Sequence, residues 1–442
     1  MHGEGQTETE GERGRRIVLA TLGSLGDLHP FIAIGKELQA RGHKPVLATS
    51  MHHRERVERQ GIAFAAMRPD LADFENDQTF FRDVMDRKRG SERVVRDVCM
   101  PHLRASYDDL LKASENADLL VSQMVTFAGP LVAEVTGIRW LSAILAPLSF
   151  LSKYDPSVPP QAPWFRHLRL LGPGFHGLIN QVARRAVRPW TQPINDLRKE
   201  LGLPESRDPL FEGSYSPAGV LALFSGVLGK PQLDWPAATT QTGFPFFDDA
   251  EGTGMPAKLA QFLSEGDAPL VFTLGSAAVM DAGRFYEVSR DAAHELKRRA
   301  VFLIGSDPRN QFRETLPESM LAIDYAPHSE LFPRASAIVH QGGVGTTAQA
   351  LRSGRPMLVV PWGHDQMDNA ERVYRLGVAR TLSREKYTAH RVATALRHLL
   401  DEVAHNNRAR DVAALIRQEN GTARACDAIE HALSQPRTKA SS

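Results

Sequence analysis

The sequence predicts an α/β protein of two domains, each built on a parallel sheet and facing the other across a central cleft. Short apolar runs alternate with amphipathic segments along the chain, which is typical of parallel sheets with right-handed crossovers. The 442 residues are enough for two separate cores. Residues 230–256 are rich in Pro, Gly and Asp, and we interpret them as the linker between two such alternating series.

The N-terminal domain is predicted to span residues 16–229. Apolar runs predict its strands at 16–22, within 40–50, and at 118–123, 140–145 and 219–225. Helical spacing predicts a helix after the turn at 23–30 and another at 128–137. The charge-rich residues 52–115 are interpreted as mostly helical.

The C-terminal domain, residues 257–420, repeats the alternation. Its predicted strands lie at 269–276, 300–306, 321–328, 336–340 and 358–360. Helices are predicted near 282–299, 386–402 and 405–418. A last helix near 421–434, with Cys426, Ile429 and Leu433 on one side, opens the terminal segment 421–442. Two such halves indicate two Rossmann-like domains.

Composition excludes several classes of protein. Lys and Arg total 53 against 52 for Asp and Glu, and this balance argues against a general nucleic-acid binder. Cys99 and Cys426 lie far apart, form no metal-ligand spacing and indicate a reducing, cytoplasmic compartment. Residues 1–15 lack the apolar core of a signal peptide and are predicted to be a disordered tail. No apolar run reaches the roughly 20 residues that span a bilayer.

The most informative stretch is residues 338–377, where a predicted strand runs into a glycine-rich turn and a helix. Gly342, Gly343 and Gly345 allow the backbone to approach a ligand and to aim N–H groups at it. The helix start near Thr346 adds about half a positive charge. Together these features predict a seat for a diphosphate.

Polar side chains around this turn suit the rest of a donor. His340 precedes the turn and is a candidate hydrogen-bond donor to a phosphate oxygen. Asp365 and Gln366 follow the strand at 358–360, at the strand end where open α/β sheets bind ligands, and their chemistry suits sugar hydroxyls. The structural alternative is a tight strand-to-helix turn with a polar loop behind it.

The pattern H-x-G-G-x-G-T-T from His340, then G-x-P at 354–356 and D-Q-x-x-N-A from Asp365, resembles the donor-site signature of family-1 glycosyltransferases with the GT-B fold. This family uses UDP- or dTDP-sugars in natural-product, sterol and glycolipid glycosylation. The resemblance implies two Rossmann-like domains facing a cleft, with the acceptor in the N-terminal domain and the nucleotide sugar in the C-terminal domain. It also implies that the final helix crosses back to the N-terminal domain.

The loop G-S-L-G-D-L-H-P at 23–30 resembles the loop that supplies the general base in this family. Asp27 matches the acidic residue of antibiotic and sterol members, whereas many other members carry a histidine where this chain has Leu25. His29 is the rival base, since the ordinary pKa of histidine suits proton transfer near neutrality. The structural alternative is that Asp27 caps a helix starting near Pro30.

Three further positions match donor contacts of the family. Ser276 resembles the residue of a G-S turn that contacts the diphosphate. The segment Y-A-P-H at 325–328 resembles the W-A-P-Q segment of plant members. The resemblance implies that Tyr325 stacks on the nucleobase and that the backbone near His328 bonds the edge of the base. A plain turn before a helix is the structural alternative. Ala348 stands where many members have Glu, so the ribose contact is unassigned.

Residues 146–215 combine prolines with aromatic and basic residues. Trp164 and Phe165 are predicted to line an apolar acceptor cleft. Ordinary packing of helices on the sheet is the structural alternative. A further interpretation is a basic amphipathic patch that makes weak peripheral contact with the inner face of a membrane.

These expectations describe an inverting, metal-independent transferase that moves a hexose from a UDP- or dTDP-sugar to a hydroxyl of a small apolar acceptor. The chain has no D-x-D motif, with which many families hold a metal, so neither a metal nor a cofactor is expected. The segments P-Q-L-D-W-P and T-G-F-P-F-F-D resemble the bacterial branch that makes rhamnolipids, so dTDP-rhamnose with a lipid acceptor is an alternative. An epimerase on the same architecture and a non-catalytic partner subunit of a glycosyltransferase are the rival functions.

Overall fold

The computed structural model describes residues 14–74, 78–248 and 254–435. Most of the predicted tail at 1–15, part of the predicted linker and the residues after 435 lie outside these ranges. Within the described ranges, no helix has both the length and the apolar character needed to cross a membrane.

The N-terminal half forms a seven-stranded parallel sheet. Its strands are β1 (Arg16–Ala20), β2 (Lys44–Thr49), β3 (Ala63–Ala66), β4 (Leu119–Gln123), β5 (Arg139–Ile144), β6 (Val220–Ala222) and β7 (Thr239–Gln241). They lie in the order β3-β2-β1-β4-β5-β6-β7, so the direction of winding reverses between β1 and β4. That reversal is the point where open α/β sheets bind ligands.

Eight α-helices accompany this sheet in the described residues. They are α1 (Leu25–Ala40), α2 (Arg54–Arg59), α3 (Gln78–Val84), α4 (Gly90–Arg93), α5 (Leu103–Ala113), α6 (Ala128–Thr136), α7 (Gly172–Val187) and α8 (Gln192–Glu200). A π-helical turn at 94–99 and 3₁₀ turns, the longest at 163–171, join them.

The C-terminal half forms a six-stranded parallel sheet with the same winding. Its strands are β8 (Leu270–Thr273), β9 (Ala300–Leu303), β10 (Met320–Ile323), β11 (Ala337–His340), β12 (Met357–Val359) and β13 (Ala379–Thr381). Their order is β10-β9-β8-β11-β12-β13, with the reversal between β8 and β11.

Eight more α-helices follow in the described chain. They are α9 (Ala257–Ser264), α10 (Phe285–Glu295), α11 (His328–Leu331), α12 (Val344–Ser353), α13 (Gln366–Arg375), α14 (Ala389–Asp401), α15 (Val403–Gln418) and α16 (Gly421–Ser434). Gly354, at a φ of 73°, ends α12 where the sequence predicted.

Both sheets are buried on their two faces, which is why their strands are continuous apolar runs. In β1, Ile17 and Leu19 point to the side covered by α1 and α16, whereas Val18 and Ala20 point to the side covered by α5 and α6. The last helix therefore belongs physically to the N-terminal core. Arg41 of α1 fastens it with ion pairs to Asp427 and Glu430 of 2.7 and 2.8 Å.

Two predicted segments each contain a strand that the sequence did not predict. The residues 52–115, interpreted as mostly helical, contain β3. The predicted linker at 230–256 contains β7, which pairs with β6, so its first part belongs to the N-terminal sheet. Both are edge strands with partly exposed side chains, and neither carries the apolar run that marked the others.

Candidate active site

The carboxyl ends of the strands in the two sheets face each other at the points where the strand order of each sheet reverses. The loop after β1 leads into α1, and the glycine-rich turn after β11 leads into α12. A Cβ atom built on Gly345 of α12 would lie 3.5 Å from Cα of Gly26 in α1. The N-termini of these two helices, one from each domain, are therefore in contact across the cleft.

Asp27 occupies the third position of α1 and binds the start of its own helix. Its Oδ2 accepts a hydrogen bond of 2.9 Å from the backbone N–H of Ser24 and a longer one, 3.3 Å, from the Ser24 hydroxyl. Gly23 has a φ of 130°, and a Cβ there would come within 2.3 Å of Asp27 Oδ2. Only glycine therefore leaves room for the carboxylate. The predicted capping role is real, but the helix begins at Leu25 and not near Pro30.

Gln123, at the end of β4, holds the other oxygen of this carboxylate. Its Nε2 donates to Asp27 Oδ1 over 2.8 Å. Its Oε1 accepts from the Thr21 hydroxyl at 2.6 Å and from the N–H of Leu22 at 3.1 Å, which fixes the direction of the amide. Burial raises the pKa of Asp27, and the hydrogen bonds from Gln123 and Ser24 act against that rise.

Gln123 was not among the sequence-predicted site residues. Its signal is positional, because it ends the strand next to β1 at the reversal point. A glutamine in that place can donate to one carboxylate oxygen while accepting from the backbone behind it.

His29 lies two residues after Asp27 on α1, and its surroundings make it a weaker candidate for the base than Asp27. Its ring packs against Phe247 with centroids 5.3 Å apart. Its Nε2 is buried and has no hydrogen-bond partner in the described part of the chain. Burial, followed by the charge of Arg56, lowers the pKa of His29 to about 3, so the ring is neutral and a weak base near pH 7.

The turn after β11 has the geometry expected for an anion seat. Gly342 has a φ of 89°, and a Cβ there would lie 2.9 Å from Val359 Cγ1. No side chain of the described residues caps α12, whose N-cap is Gly343. The first N–H groups of the helix have no intrahelical acceptor, and the helix dipole adds about half a positive charge there.

His340 supports this turn from behind, which corrects its predicted role as a phosphate donor. The side chain is fully buried. Its Nδ1 accepts a 3.1 Å hydrogen bond from the N–H of Gly342, and its Nε2 lies 3.3 Å from Met357 Sδ. Both ring nitrogens are engaged inside the protein, and burial lowers the pKa of His340 to about 3.

The loop after β8 joins the same seat. A Cβ on Gly275 would lie 2.3 Å from Gln341 Nε2 and 3.3 Å from Thr346 Oγ1, so this loop packs on the start of α12. Ser276 follows it and is exposed, next to the turn. Gln341 was missed by the sequence analysis. Its buried Oε1 has no protein partner in the described residues, although its Nε2 approaches Thr346 Oγ1 at 3.5 Å.

Asp365 and Gln366 stand where α13 begins. Asp365 Oδ2 accepts from Asn369 Nδ2 at 2.8 Å, and the same amide donates to the carbonyl of Gly342 at 3.0 Å. Burial raises the pKa of Asp365 to about 7, and the nearby charge of Asp27 contributes to the rise. Carboxylates of the two domains therefore approach each other at the cleft. Gln366 Oε1 accepts from the N–H groups of residues 362 and 363, so its Nε2 is the group left for a ligand.

Comparison with known proteins agrees with this geometry. Residues 17–101 match the glycosyltransferase family 28 N-terminal domain, and residues 290–427 match the C-terminal domain of proteins like erythromycin biosynthesis protein CIII. The chain is 31% identical over 427 residues to O-mycaminosyltylonolide 6-deoxyallosyltransferase of Streptomyces fradiae, covering 94% of this chain and 97% of that enzyme.

This chain belongs to the family-1 glycosyltransferases. It is also 29% identical over 444 residues to a sterol 3-beta-glucosyltransferase of Leptosphaeria maculans, of whose length it spans 29%. Two solved structures share its fold. The glycosyltransferase of kitacinnamycin has a TM-score of 0.68 at 22% identity, covering 95% of this chain and 99% of that one. VinC in complex with dTDP has a TM-score of 0.65 at 20% identity, covering 94% and 99%.

The predictions of family, enzyme class and GT-B fold are thereby confirmed. The predicted non-catalytic partner subunit is not supported, because the named relatives are transferases. The roles of individual residues rest on the geometry of this glycosyltransferase.

The predicted nucleobase residues differ in their surroundings. Tyr325 is 44% exposed and lies two residues after the end of β10. His328 begins α11, and its ring stacks on Phe332 with centroids 4.3 Å apart. Burial lowers the pKa of His328 to about 4. Tyr325 is therefore accessible from the solvent, whereas the ring of His328 is used in packing.

The two predicted acceptor residues also differ in their exposure to solvent. Phe165 is only 8% exposed and packs against Phe175 and His176, so it belongs to the local core and does not line a cleft. Trp164 is 60% exposed. Only Trp164 of this pair is available to an apolar molecule.

The segment that leads to Trp164 is bound to the C-terminal domain by a buried ionic cluster. Arg372 of α13, 3% exposed, pairs through Nε with Asp368 at 2.6 Å and through Nη1 with Asp155. Asp368 Oδ1 also accepts from the N–H of Val158 at 2.9 Å. The helix α13, whose start carries Asp365 and Gln366, therefore binds this segment of the N-terminal domain on its next turns.

Proposed function

We propose that this glycosyltransferase moves a hexose from a UDP- or dTDP-sugar to a hydroxyl of a small apolar acceptor, with inversion and without a metal. The observation that carries the proposal is the contact between two unlike helix starts. The uncapped start of α12 is an anion seat, and it touches the start of α1, where Asp27 holds a carboxylate. A leaving diphosphate and a base are needed on opposite sides of the reacting carbon.

The reaction follows from these positions. Asp27 takes the proton of the acceptor hydroxyl, and the oxygen forms a bond to the anomeric carbon of the donor. The bond from that carbon to the diphosphate breaks, and the diphosphate leaves with the electron pair. The N–H groups of Gly345 and Thr346 and the dipole of α12 stabilise its growing charge. Attack opposite the leaving group inverts the anomeric centre.

Other contacts orient the donor. Asp365 and Gln366 Nε2 bond sugar hydroxyls, Tyr325 stacks on the nucleobase, and Ser276 bonds the diphosphate. Gln123 keeps Asp27 aimed into the cleft through a short, well-supported hydrogen bond. Asp27 serves as the base in preference to His29, because the ring of His29 is neutral, packed against Phe247 and has a pKa near 3.

The named relatives support the substrate class. One is a 6-deoxyallosyltransferase of O-mycaminosyltylonolide and others are sterol 3-beta-glucosyltransferases. Structural neighbours are described in complex with thymidine diphosphate, among them a spinosyn rhamnosyltransferase. We therefore keep dTDP-rhamnose beside glucose donors as a second candidate.

A donor and acceptor panel tests the proposal. UDP-glucose, dTDP-glucose and dTDP-rhamnose are each combined with a macrolide aglycone, a sterol and a hydroxyfatty acid, with and without EDTA. The proposal predicts one preferred donor, a product of inverted anomeric configuration by NMR, and the same rate in EDTA. Loss of activity in EDTA contradicts metal independence. Formation of an epimerised nucleotide sugar without acceptor supports the epimerase instead.

A further inference from the structure

The acceptor domain carries a group of exposed apolar side chains within residues 164–182. Its members are large apolar side chains exposed to solvent: Trp164 (60%), Leu170 (97%), Leu171 (54%), Leu178 (60%) and Val182 (55%). We call these five residues the apolar strip. Exposed apolar residues elsewhere in the described chain occur singly along the sequence. A grouped set of this kind marks an interaction surface more often than a single exposed leucine does.

The helix α7, which carries Leu178 and Val182 of the strip, contributes little to the protein's own core. Of the sixteen residues of α7, only His176 is buried. Leu178 and Val182 are four residues apart in α7, which places them on one side of the helix, and Leu171 lies immediately before its first residue. Arg185, three residues further on, continues the same side. An amphipathic helix normally turns such a face inward, but this one leaves it in solvent.

The charge around the strip is positive. Between Asp155 and Asp196 the chain has no acidic residue and five arginines, in a protein whose net charge is only +1. The five are Arg166, Arg169, Arg184, Arg185 and Arg188. The concentration of positive charge is therefore local and coincides with the apolar strip.

Acidic groups of neighbouring segments face some of these arginines. Arg169 pairs with Asp155 at 3.0 Å, and Arg184 with Asp208 at 3.3 Å. Arg185 is exposed and, within the described ranges, has no ion-pair partner within 4.0 Å. The arginine that extends the strip is thus the one left to an external anion.

Arg188 and Arg166 complete the rim. Arg188 pairs with Glu205 at 3.5 Å, where both side chains are more than half exposed, and Arg166 lies 3.9 Å from Glu371. The exposed pair of Arg188 and Glu205 is weak and exchanges readily for another anion, whereas the partner of Arg166 is buried. The rim can therefore add positive charge when an anionic surface approaches.

We propose that the apolar strip and Arg185 dock this protein onto the surface of an anionic lipid bilayer. Leucine, valine and tryptophan side chains enter the boundary between headgroups and acyl chains, and arginine pairs with lipid phosphates. The helix lies in the plane of the surface and does not cross the membrane. Charge complementarity favours a lipid surface over a second copy of the chain, because two copies would bring like-charged rims together.

Vesicle sedimentation of the full chain tests this docking. Vesicles of 70% phosphatidylcholine and 30% phosphatidylglycerol are compared with pure phosphatidylcholine, at about 0.1 M and 0.5 M salt. We expect at least about fivefold stronger partitioning to the anionic vesicles, reduced by the higher salt. The double variant Leu178→Gln, Val182→Gln should partition about tenfold more weakly, and Arg185→Gln about threefold more weakly.

Leu233→Gln is the matched control, since Leu233 is 89% exposed but lies outside the strip. It should bind vesicles like the parent chain. The double variant should keep the parent thermal unfolding temperature and transfer rate with a water-soluble acceptor. Equal binding to both vesicle types, or parent-like binding by the double variant, overturns the proposal. A dimer in light scattering that the double variant abolishes also overturns it in favour of self-association.

Discussion

The starts of α1 and α12 follow similar strand-to-helix turns, yet they differ in whether a side chain of the protein compensates their free N–H groups. Each helix begins after a strand beside the reversal point of its sheet, and each has N–H groups without intrahelical acceptors. In α1 the third position is Asp27, which binds the backbone of Ser24. In α12 the third position is Thr346, and no side chain of the described residues caps the helix.

Under the proposed function, this difference lets one architecture provide both a base and a phosphate-binding site. At α1 the protein's own carboxylate compensates the positive end of the helix, and Gln123 holds it in place. At α12 the positive end is left for the ligand. The contact between Gly26 and Gly345 then sets the two ends against each other across the cleft. Under the proposed function, the side chain at the third helical position distinguishes the helix start that carries the base from the one that binds the diphosphate.

The largest effect is expected from Asp27→Asn, which removes the base but keeps the size of the side chain. We expect kcat/KM to fall on the order of 10³-fold, within the range of general-base catalysis. Binding of the nucleoside diphosphate should stay within about twofold of the parent, because the anion seat belongs to α12. Transfer assays and calorimetry measure the two quantities separately.

Asp109→Asn is a control for loss of a carboxylate in the same domain. Asp109 pairs with Arg68 at 2.7 Å on the surface, and its loss should leave kcat/KM unchanged. Parent-like activity of Asp27→Asn would remove Asp27 from the mechanism. A parallel loss of nucleotide binding would instead show that the two helix starts do not have separate roles.

The second effect comes from making α12 resemble α1. Thr346→Asp places a carboxylate at the third position, where it occupies the positive end of the helix and repels a diphosphate. We expect the dissociation constant of UDP or dTDP to rise about 100-fold, and stability to stay close to the parent. Thr346→Asn has nearly the same shape without the charge and should weaken binding by less than about tenfold. Equal effects of the two variants would show that charge at this helix start does not govern donor binding.

Much of this comparison could be predicted from local sequence. The strands β1 and β11, the glycines after them and Gly354 at the end of α12 follow from apolar runs and from backbone chemistry confined to a few residues. Edge strands β3 and β7 could not be predicted, because half-exposed strands need no apolar run. The identity of the pair Asp27 and Gln123 also escaped local reasoning, since the two residues are separated by 96 positions.

The direction of a side chain is a further limit of the sequence. His340 is next to the glycine-rich turn in the chain, so its residue type suggested a contact with phosphate. In the fold its ring turns inward and binds the N–H of Gly342. Phe165 likewise points into the local core, while its neighbour Trp164 points outward. Which of two adjacent residues faces the ligand depends on packing partners from distant segments.

A third effect concerns the pKa of Asp365, which is raised by burial and by the nearby carboxylate of Asp27. The pKa of Asp365 is raised from 3.8 to about 7, so the folded state holds its proton more tightly than the unfolded state. The stability that this group contributes is present below pH 3.8 and is lost as the pH rises through 7. Asp365→Asn should therefore gain stability relative to the parent between pH 4 and 7, reaching about 2 kcal/mol above pH 7. The gain stays below the roughly 4 kcal/mol equivalent of the whole pKa shift, because solvent screens the partly exposed side chain.

Urea unfolding at several pH values measures this gain. In the Asp27→Asn background the nearby negative charge is absent, so the pKa of Asp365 is lower and the gain should level off at a lower pH. A gain that does not change with pH would show that Asp365 is not buried near a second carboxylate. The matched variant Asp401→Asn, at the exposed end of α14, should show no such dependence.

The smallest effect is expected from Gln123→Met, which keeps the length of the side chain but removes the donor to Asp27. Burial raises the pKa of Asp27, and the hydrogen bond from Gln123 opposes this rise. Without it, the pKa of Asp27 should rise further, because one of the hydrogen bonds that stabilise the ionised carboxylate is lost. Since the base works only when ionised, the acid limb of the kcat/KM profile should move to higher pH. The variant also leaves Thr21 and Leu22 without an acceptor, so some loss of stability is expected whatever the mechanism. The pH limb separates the two effects, because a purely structural defect lowers the whole profile without moving it. An unmoved limb would mean that the carboxylate of α1 is held by its own helix start alone, and that Gln123 serves only the packing of β4.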